Sequence, residues 1–223
     1  MRFALPLVTM SCLTGALLAQ APDTVFLEDL TWTEVRDLLA DGTTTVIIPT
    51  GGTEQNGPHM VLGKHNYLVR YKAGVVAQRL ENALVAPVMA YVPEGDVDPP
   101  SGHMRFPGTI TTPPEVFEQV LEFAARSLQQ HGFLDIALLG DSGGNQASQA
   151  AVAERLNREW ADTPVRVHHL TDYYPGPGDA WLVEQGERLR GRLRARHPLL
   201  LLAQSSIVSV LCWIREETAR CAR

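Results

Sequence analysis

Four short apolar runs alternate with helical stretches along the central part of this chain, and this order most constrains its fold. The runs occupy residues 46–49, 83–88, 135–140 and 165–170. Strands that are apolar nearly throughout are typical of a sheet covered on both faces. Strands that alternate with helices pair in parallel through right-handed crossovers. The sequence therefore predicts an α/β protein, a three-layer α/β/α sandwich with a mainly parallel central sheet.

The helical stretches are predicted from apolar spacing and from residues that begin or end helices. They cover residues 30–40, 66–82, 115–131 and 146–160. Thr31 or Thr33 is the expected cap of the first helix, with Glu34 in its first turn. Pro113 and Pro114 open the third helix, where proline is tolerated.

The length and charge of the chain limit its organisation and its partners. A chain of 223 residues with 45% hydrophobic content can bury one substantial core, which predicts a single domain over residues 22–223. The formal net charge of −6 argues against nucleic acid and anionic membrane as partners.

The first 21 residues have the features of a signal peptide. Arg2 precedes the apolar run 3–18, and Ala19 and Ala21 are the small residues that a signal peptidase needs. We therefore expect cleavage near Ala21, a periplasmic or secreted mature protein, and no membrane attachment after cleavage. Cys212 and Cys221 remain in the mature chain, and an exported protein would allow them to pair.

Three glycine-rich or long loops follow predicted strands. They cover residues 51–65, 94–112 and 140–145. Ligands and catalytic groups collect at the carboxyl ends of strands in open α/β sheets, and long ordered loops are often functional. We expect these three loops to converge on one cleft.

Three segments in these loops resemble, in order, motifs of the creatininase family of metal-dependent amidohydrolases. They are residues 52–59 (GTEQNGPH), 101–109 (SGHMRFPGT) and 139–145 (LGDSGGN). The resemblance is clearest over residues 26–174, whereas residues 187–223 are atypical. It implies a creatininase-like fold, a small-molecule substrate, a divalent metal centre and a homo-oligomer.

The chain departs from the family at its metal ligands. The family glutamate is present as Glu54, but Asn56, His65, Ser142 and Gly144 stand at the other ligand positions. We predict one divalent ion, zinc, manganese or iron, on Glu54, His65 and Asp141. The alternative is structural: His65 caps the helix that begins at residue 66, and Asp141 bonds the backbone of the turn that follows it.

Four further residues have predicted roles at the site. We expect His59, with Glu54, to act in catalysis, because imidazole transfers protons near neutral pH. Ser101, His103 and Asn145 are the predicted substrate-binding residues. A rigid loop that packs a subunit contact is an equally good explanation for the segment around His103.

The leading functional hypothesis is an exported creatininase-like amidohydrolase that cleaves a C–N bond in a small cyclic amide or related substrate. The first rival is a catalytically inactive creatininase-fold protein with a binding or structural role that has lost its metal. The second is a serine hydrolase that uses Ser142, although Ser142 suits a helix-capping role better. Of the two histidines on the fourth strand, His168 and His169, alternation points one to each face of the sheet.

Overall fold

The structure is a computed structural model that describes residues 24–173. The predicted signal peptide, the possible Cys212–Cys221 pair and the atypical segment 187–223 lie outside the described residues. Within residues 24–173, no helix is long and apolar enough to cross a membrane.

The sheet has four parallel strands, which confirms the predicted architecture. They are β1 (Thr45–Thr50), β2 (Ala83–Val85), β3 (Asp135–Gly140) and β4 (Arg166–His169), in the order β2-β1-β3-β4. The strand predicted over residues 83–88 is shorter than expected and ends at Val85. Pro87 has no N–H to give to a ladder, and this limits regular pairing beyond β2.

Four α-helices connect or follow the strands, close to their predicted positions. They are α1 (Trp32–Ala40), α2 (Lys64–Leu80), α3 (Pro114–Gln130) and α4 (Gln146–Glu159). Thr31 caps α1 through a capping box, in which its side chain accepts from the Glu34 N–H while Glu34 accepts from the Thr31 N–H. α2 begins at Lys64, so His65 lies inside its first turn. The expectation that His65 caps this helix is therefore wrong.

Side-chain alternation along the strands divides the core between the two faces of the sheet. Val46 and Ile48 of β1 pack on one face, against the apolar sides of α3 and α4. Ile47 points to the opposite face, where Val69 and Ala73 of α2 cover it. Helices therefore cover both faces, and this is why the strands are apolar on both sides.

The carboxyl ends of β1 and β3 are joined side by side. Their ladder extends to the pair Thr50 and Gly140, and the Asp141 N–H continues it by donating to the Thr50 carbonyl at 3.0 Å. Asn145 is fully buried, and its Nδ2 donates to Thr50 Oγ1 at 3.0 Å and to the Gly51 carbonyl at 2.8 Å. The loops that follow the two strands are thus held together from their first residues.

The core packing of α3 yields a stability prediction. Leu121 is fully buried, whereas its neighbour Val120 is 54% exposed. We expect Leu121→Ala to lower the free energy of unfolding by about 2–5 kcal/mol, because it leaves a cavity under the helix. Val120→Ala is the matched control and should change it by about 0.5 kcal/mol or less. Urea denaturation measures both; equal effects would contradict the assigned face of α3.

Candidate active site

A buried carboxylate, Glu54, lies at the centre of the site. It follows β1, is 4% exposed, and is anchored by its N–H, which donates to the Leu62 carbonyl at 3.1 Å. Its Oε1 lies 2.8 Å from His65 Nε2, and its Oε2 lies 3.2 Å from His103 Nε2. Burial raises the pKa of Glu54, but hydrogen bonds from His65 and Glu94 and the charges of both histidines outweigh it and lower the pKa. Glu54 is therefore an anion at neutral pH.

His65 joins Glu54 to Asp141 across the site. It is the second residue of α2, and its Nδ1 lies 2.8 Å from Oδ2 of Asp141, the residue after β3. Burial lowers the pKa of His65, but its hydrogen bonds to Asp141 and Glu54 prevail and raise the pKa. Asp141 also accepts a hydrogen bond from the Tyr173 hydroxyl, and Lys72 Nζ lies 3.9 Å from its Oδ1.

The three residues predicted to bind the metal therefore do converge. They form a hydrogen-bonded row in the order Glu54, His65, Asp141, and each ring nitrogen of His65 faces one carboxylate. The expected alternative for Asp141, hydrogen bonds from its side chain to the following turn, differs from the observed contacts. The ligand roles of His65 and Asp141 stay predictions.

The long loop 94–112 places two more side chains, those of Glu94 and His103, beside Glu54. Glu94 is buried, its N–H donates to Thr111 Oγ1 at 2.9 Å, and its carbonyl accepts from the His103 N–H at 2.9 Å. Burial, followed by the hydrogen bond and the negative charge of Glu54, raises the pKa of Glu94. Sequence reasoning missed Glu94; its only signal was its position in a long loop expected to be functional.

Glu54, Glu94 and His103 form a set of donors that fits a divalent ion. One potential ligand atom from each residue lies within 4.8 Å of the other two. Within residues 24–173, this is the only group of three or more His, Cys, Asp or Glu side chains with such spacing. Two carboxylates and an imidazole are ordinary ligands of zinc and manganese.

Of the three other predicted site residues, Asn145 and Ser101 make structural hydrogen bonds, whereas His59 makes none to a described residue. The side chain of Asn145 is used to join the loops after β1 and β3. Ser101 Oγ donates to Asp96 Oδ2 at 2.7 Å and accepts from the Asp96 N–H at 2.8 Å. His59 is exposed and makes no hydrogen bond to another described residue. The substrate-binding roles of Ser101 and Asn145 and the catalytic role of His59 stay predictions.

Ser142 is buried and stands at the N-cap position of a short 3₁₀ helix, Gly143–Asn145, but its side chain makes no capping hydrogen bond. The expected capping contact is therefore absent. Among the described residues, no hydrogen bond joins Ser142 Oγ to a histidine, so residues 24–173 provide no hydrogen-bonded base for a nucleophilic serine.

The two histidines of β4 lie on opposite faces, as predicted. His168 is exposed and its Nε2 lies 2.8 Å from Asp135 Oδ1. His169 is half-buried, and its Nε2 lies 3.0 Å from Gln146 Oε1.

Comparison with known proteins places these features in a family. Residues 28–204 match the family model for creatininase, described as creatinine amidohydrolase. The mycofactocin precursor peptide peptidase of Mycolicibacterium smegmatis is 32% identical over 113 residues, 48% of this chain and 43% of the relative. The creatinine amidohydrolase of Pseudomonas putida is 30% identical over 115 residues, 52% of this chain and 44% of the relative. The chain thus spans less than half the length of these curated relatives.

Comparison with solved structures points to the same family. A mutant creatininase described as the Zn-Zn type superposes with a TM-score of 0.60 at 26% identity, covering 73% of this chain and 63% of that chain. The resemblance predicted from the three motifs is therefore confirmed.

The buried row yields a second stability prediction. We expect His65→Ala to lower the free energy of unfolding by about 3–5 kcal/mol, because it leaves the carboxylates of Glu54 and Asp141 buried without their shared partner. His168→Ala is the matched control, since it removes an exposed pair with Asp135 and should cost about 0–1 kcal/mol. Urea denaturation at pH 7 measures both variants. If His65→Ala lowers the free energy of unfolding no more than the control does, the buried row does not stabilise the fold.

Proposed function

This chain belongs to the creatininase family, and we propose that it is a metal-dependent hydrolase that cleaves a C–N bond in a small cyclic amide. The observation that carries the proposal is the buried, ionised Glu54 with a second carboxylate and an imidazole beside it. Such a group of ligands at the carboxyl edge of a parallel sheet is typical of a metal hydrolase site.

The described residues have distinct tasks in this proposal. Glu54 would hold the ion from the protein side, and the ion when bound polarises a substrate carbonyl and lowers the pKa of a water molecule. His65 keeps the Glu54 carboxylate in one orientation through the 2.8 Å contact between Nε2 and Oε1. The side chain of His103 is 40% exposed, so substrate can approach from its side of the site.

Proton transfer to the leaving nitrogen needs a group that can exchange protons with solvent. His59 has the suitable chemistry and exposure, and it lies on the same loop as Glu54. We assign it this role within the proposal, since an imidazole is the side chain best suited to give and take protons near neutral pH.

A peptide amide bond is the second candidate for the bond that is cleaved. One relative of this chain is named as a peptidase that acts on the mycofactocin precursor peptide. Cyclic amides and peptides share the carbonyl–nitrogen bond, so the same protein groups would serve either substrate. Selection between the two substrates would depend on contacts with the parts of the substrate away from the reacting bond.

An activity assay tests the proposed function. We expect the purified protein with Mn²⁺ or Zn²⁺ to hydrolyse creatinine or another cyclic amide, and a chelator to abolish the activity. Glu54→Gln should lower kcat/KM by about 100-fold or more, because it removes the central charged ligand. The matched control is Glu115→Gln, an exposed position on α3 that should have wild-type activity.

The alternatives give different results in the same assay. Hydrolysis of peptides without hydrolysis of any cyclic amide would show that the substrate is a peptide and not a cyclic amide. A protein that binds no metal and hydrolyses neither substrate would support the binding or structural role instead.

Export and self-association belong to the same proposal. We expect protein from the periplasmic or secreted fraction to begin near Pro22, as measured by intact mass and N-terminal sequencing. Analytical ultracentrifugation of this mature protein should show a homo-oligomer. A mature chain that still begins at Met1 would contradict export, and a monomer would contradict self-association.

A further inference from the structure

We infer that a single divalent ion is bound by Glu54, Glu94 and His103, and that His65 and Asp141 support Glu54 without touching the ion. The inference takes from the proposed function only that the protein uses a divalent ion. It assigns two of the three ligands to the long loop 94–112 and none to the loop after β3.

The first observation is the orphaned carboxylate oxygen of Glu94. Glu94 is 5% exposed, and its Oε1 has no hydrogen-bond partner among the described residues. A buried carboxylate oxygen without a donor is costly, and a second carboxylate, Glu54, lies within 4.8 Å. A cation between the two carboxylates would satisfy both.

The second observation is that Gly52, in the loop after β1, and Gly144, in the loop after β3, leave room for the loop that carries Glu94. A Cβ atom at Gly52 would lie 2.4 Å from Glu94 Oε1, and one at Gly144 would lie 2.8 Å from the Pro93 carbonyl oxygen. The absence of side chains at these two positions therefore makes room for Glu94 beside Glu54.

The third observation is the orientation of the His103 ring. Its Nδ1 lies 3.2 Å from the backbone carbonyl oxygen of Gln55, which can only accept a hydrogen bond. Gln55 Nε2 lies 3.3 Å from the same nitrogen, so contacts with one residue hold this side of the ring, and the opposite ring nitrogen, Nε2, faces Glu54 at 3.2 Å from Oε2. Histidine ligands of metals are commonly held in this way by a carbonyl behind the ring.

The contacts of His65 argue that it is a positioning residue. Its two ring nitrogens each lie 2.8 Å from a carboxylate oxygen, so neither has a free lone pair in this arrangement. Glu54, Glu94 and His103 alone provide three protein ligands, and the partial exposure of His103 leaves the outer side of the ion open. Three ligands with an open position are the pattern of a catalytic metal site.

Titration of the full chain with Mn²⁺ by calorimetry tests the assignment. We expect one ion per chain in the wild-type protein, and a loss of affinity of more than about 100-fold in Glu94→Gln and in His103→Ala. Asp141→Asn should retain one ion with a loss of about 10-fold, smaller than that of either ligand variant, since Asp141 acts through His65. His168→Ala, a histidine outside the site, should bind like the wild type.

Gly52→Ala provides a second variant that leaves every ligand in the chain. Its methyl group would displace the Glu94 carboxylate, the mobile end of a side chain, and the φ of +158° at this position adds local backbone strain, so Mn²⁺ affinity should fall about 10-fold or more. Circular dichroism and the thermal midpoint report folding for every variant. Wild-type affinity in folded Gly52→Ala would count against a Glu94 ligand.

The outcomes separate this inference from the proposed function. Two ions per chain, no Mn²⁺ binding by the wild type, or wild-type affinity in Glu94→Gln and His103→Ala would overturn the ligand assignment. If Glu94→Gln and His103→Ala bind Mn²⁺ like the wild type and still hydrolyse the amide, the ligand assignment is wrong but the proposed function is retained. Binding that follows the assignment, together with no hydrolysis of any amide, would overturn the proposed function and leave the ligand assignment standing.

Discussion

The buried hydrogen-bonded row of Glu54, His65 and Asp141 is the interaction on which the site depends. Each member comes from a different part of the fold: the loop after β1, the first turn of α2, and the end of β3. Carboxylates are rarely buried without a partner, and a histidine that donates from both ring nitrogens compensates two at once. The row therefore ties a helix and two strand ends together and also holds Glu54 in one orientation.

The parallel sheet explains why these groups meet at one edge. β1 and β3 are neighbours in register, so their carboxyl ends lie side by side and the loops that follow begin together. Asn145 then holds the two loops through Thr50 and Gly51. The base of the site is therefore hydrogen-bonded backbone, and the loop that carries Glu94 and His103 lies beside it.

Much of the fold and part of the site could be predicted from local sequence. The sequence predicts β3 over its observed residues and offers Thr31 as one of two candidate caps of α1. It also predicts that Glu54, His65 and Asp141 converge. The misses concern particular contacts and the ends of elements, such as the early end of β2 at Val85. Ser142 has no capping bond, and helix α2 begins early enough to place His65 inside it, where its ring reaches two carboxylates.

Periodicity, capping residues and glycine-rich motifs are local properties, and they determined the strand and helix order, the parallel sheet and the family. The set of side chains around Glu54 is not local. Glu94 and His103 lie 40 and 49 residues away along the chain, and they reach Glu54 because small residues at 52 and 144 admit their loop. Such packing depends on the tertiary structure, since no sequence pattern states which buried carboxylate will face another across a loop.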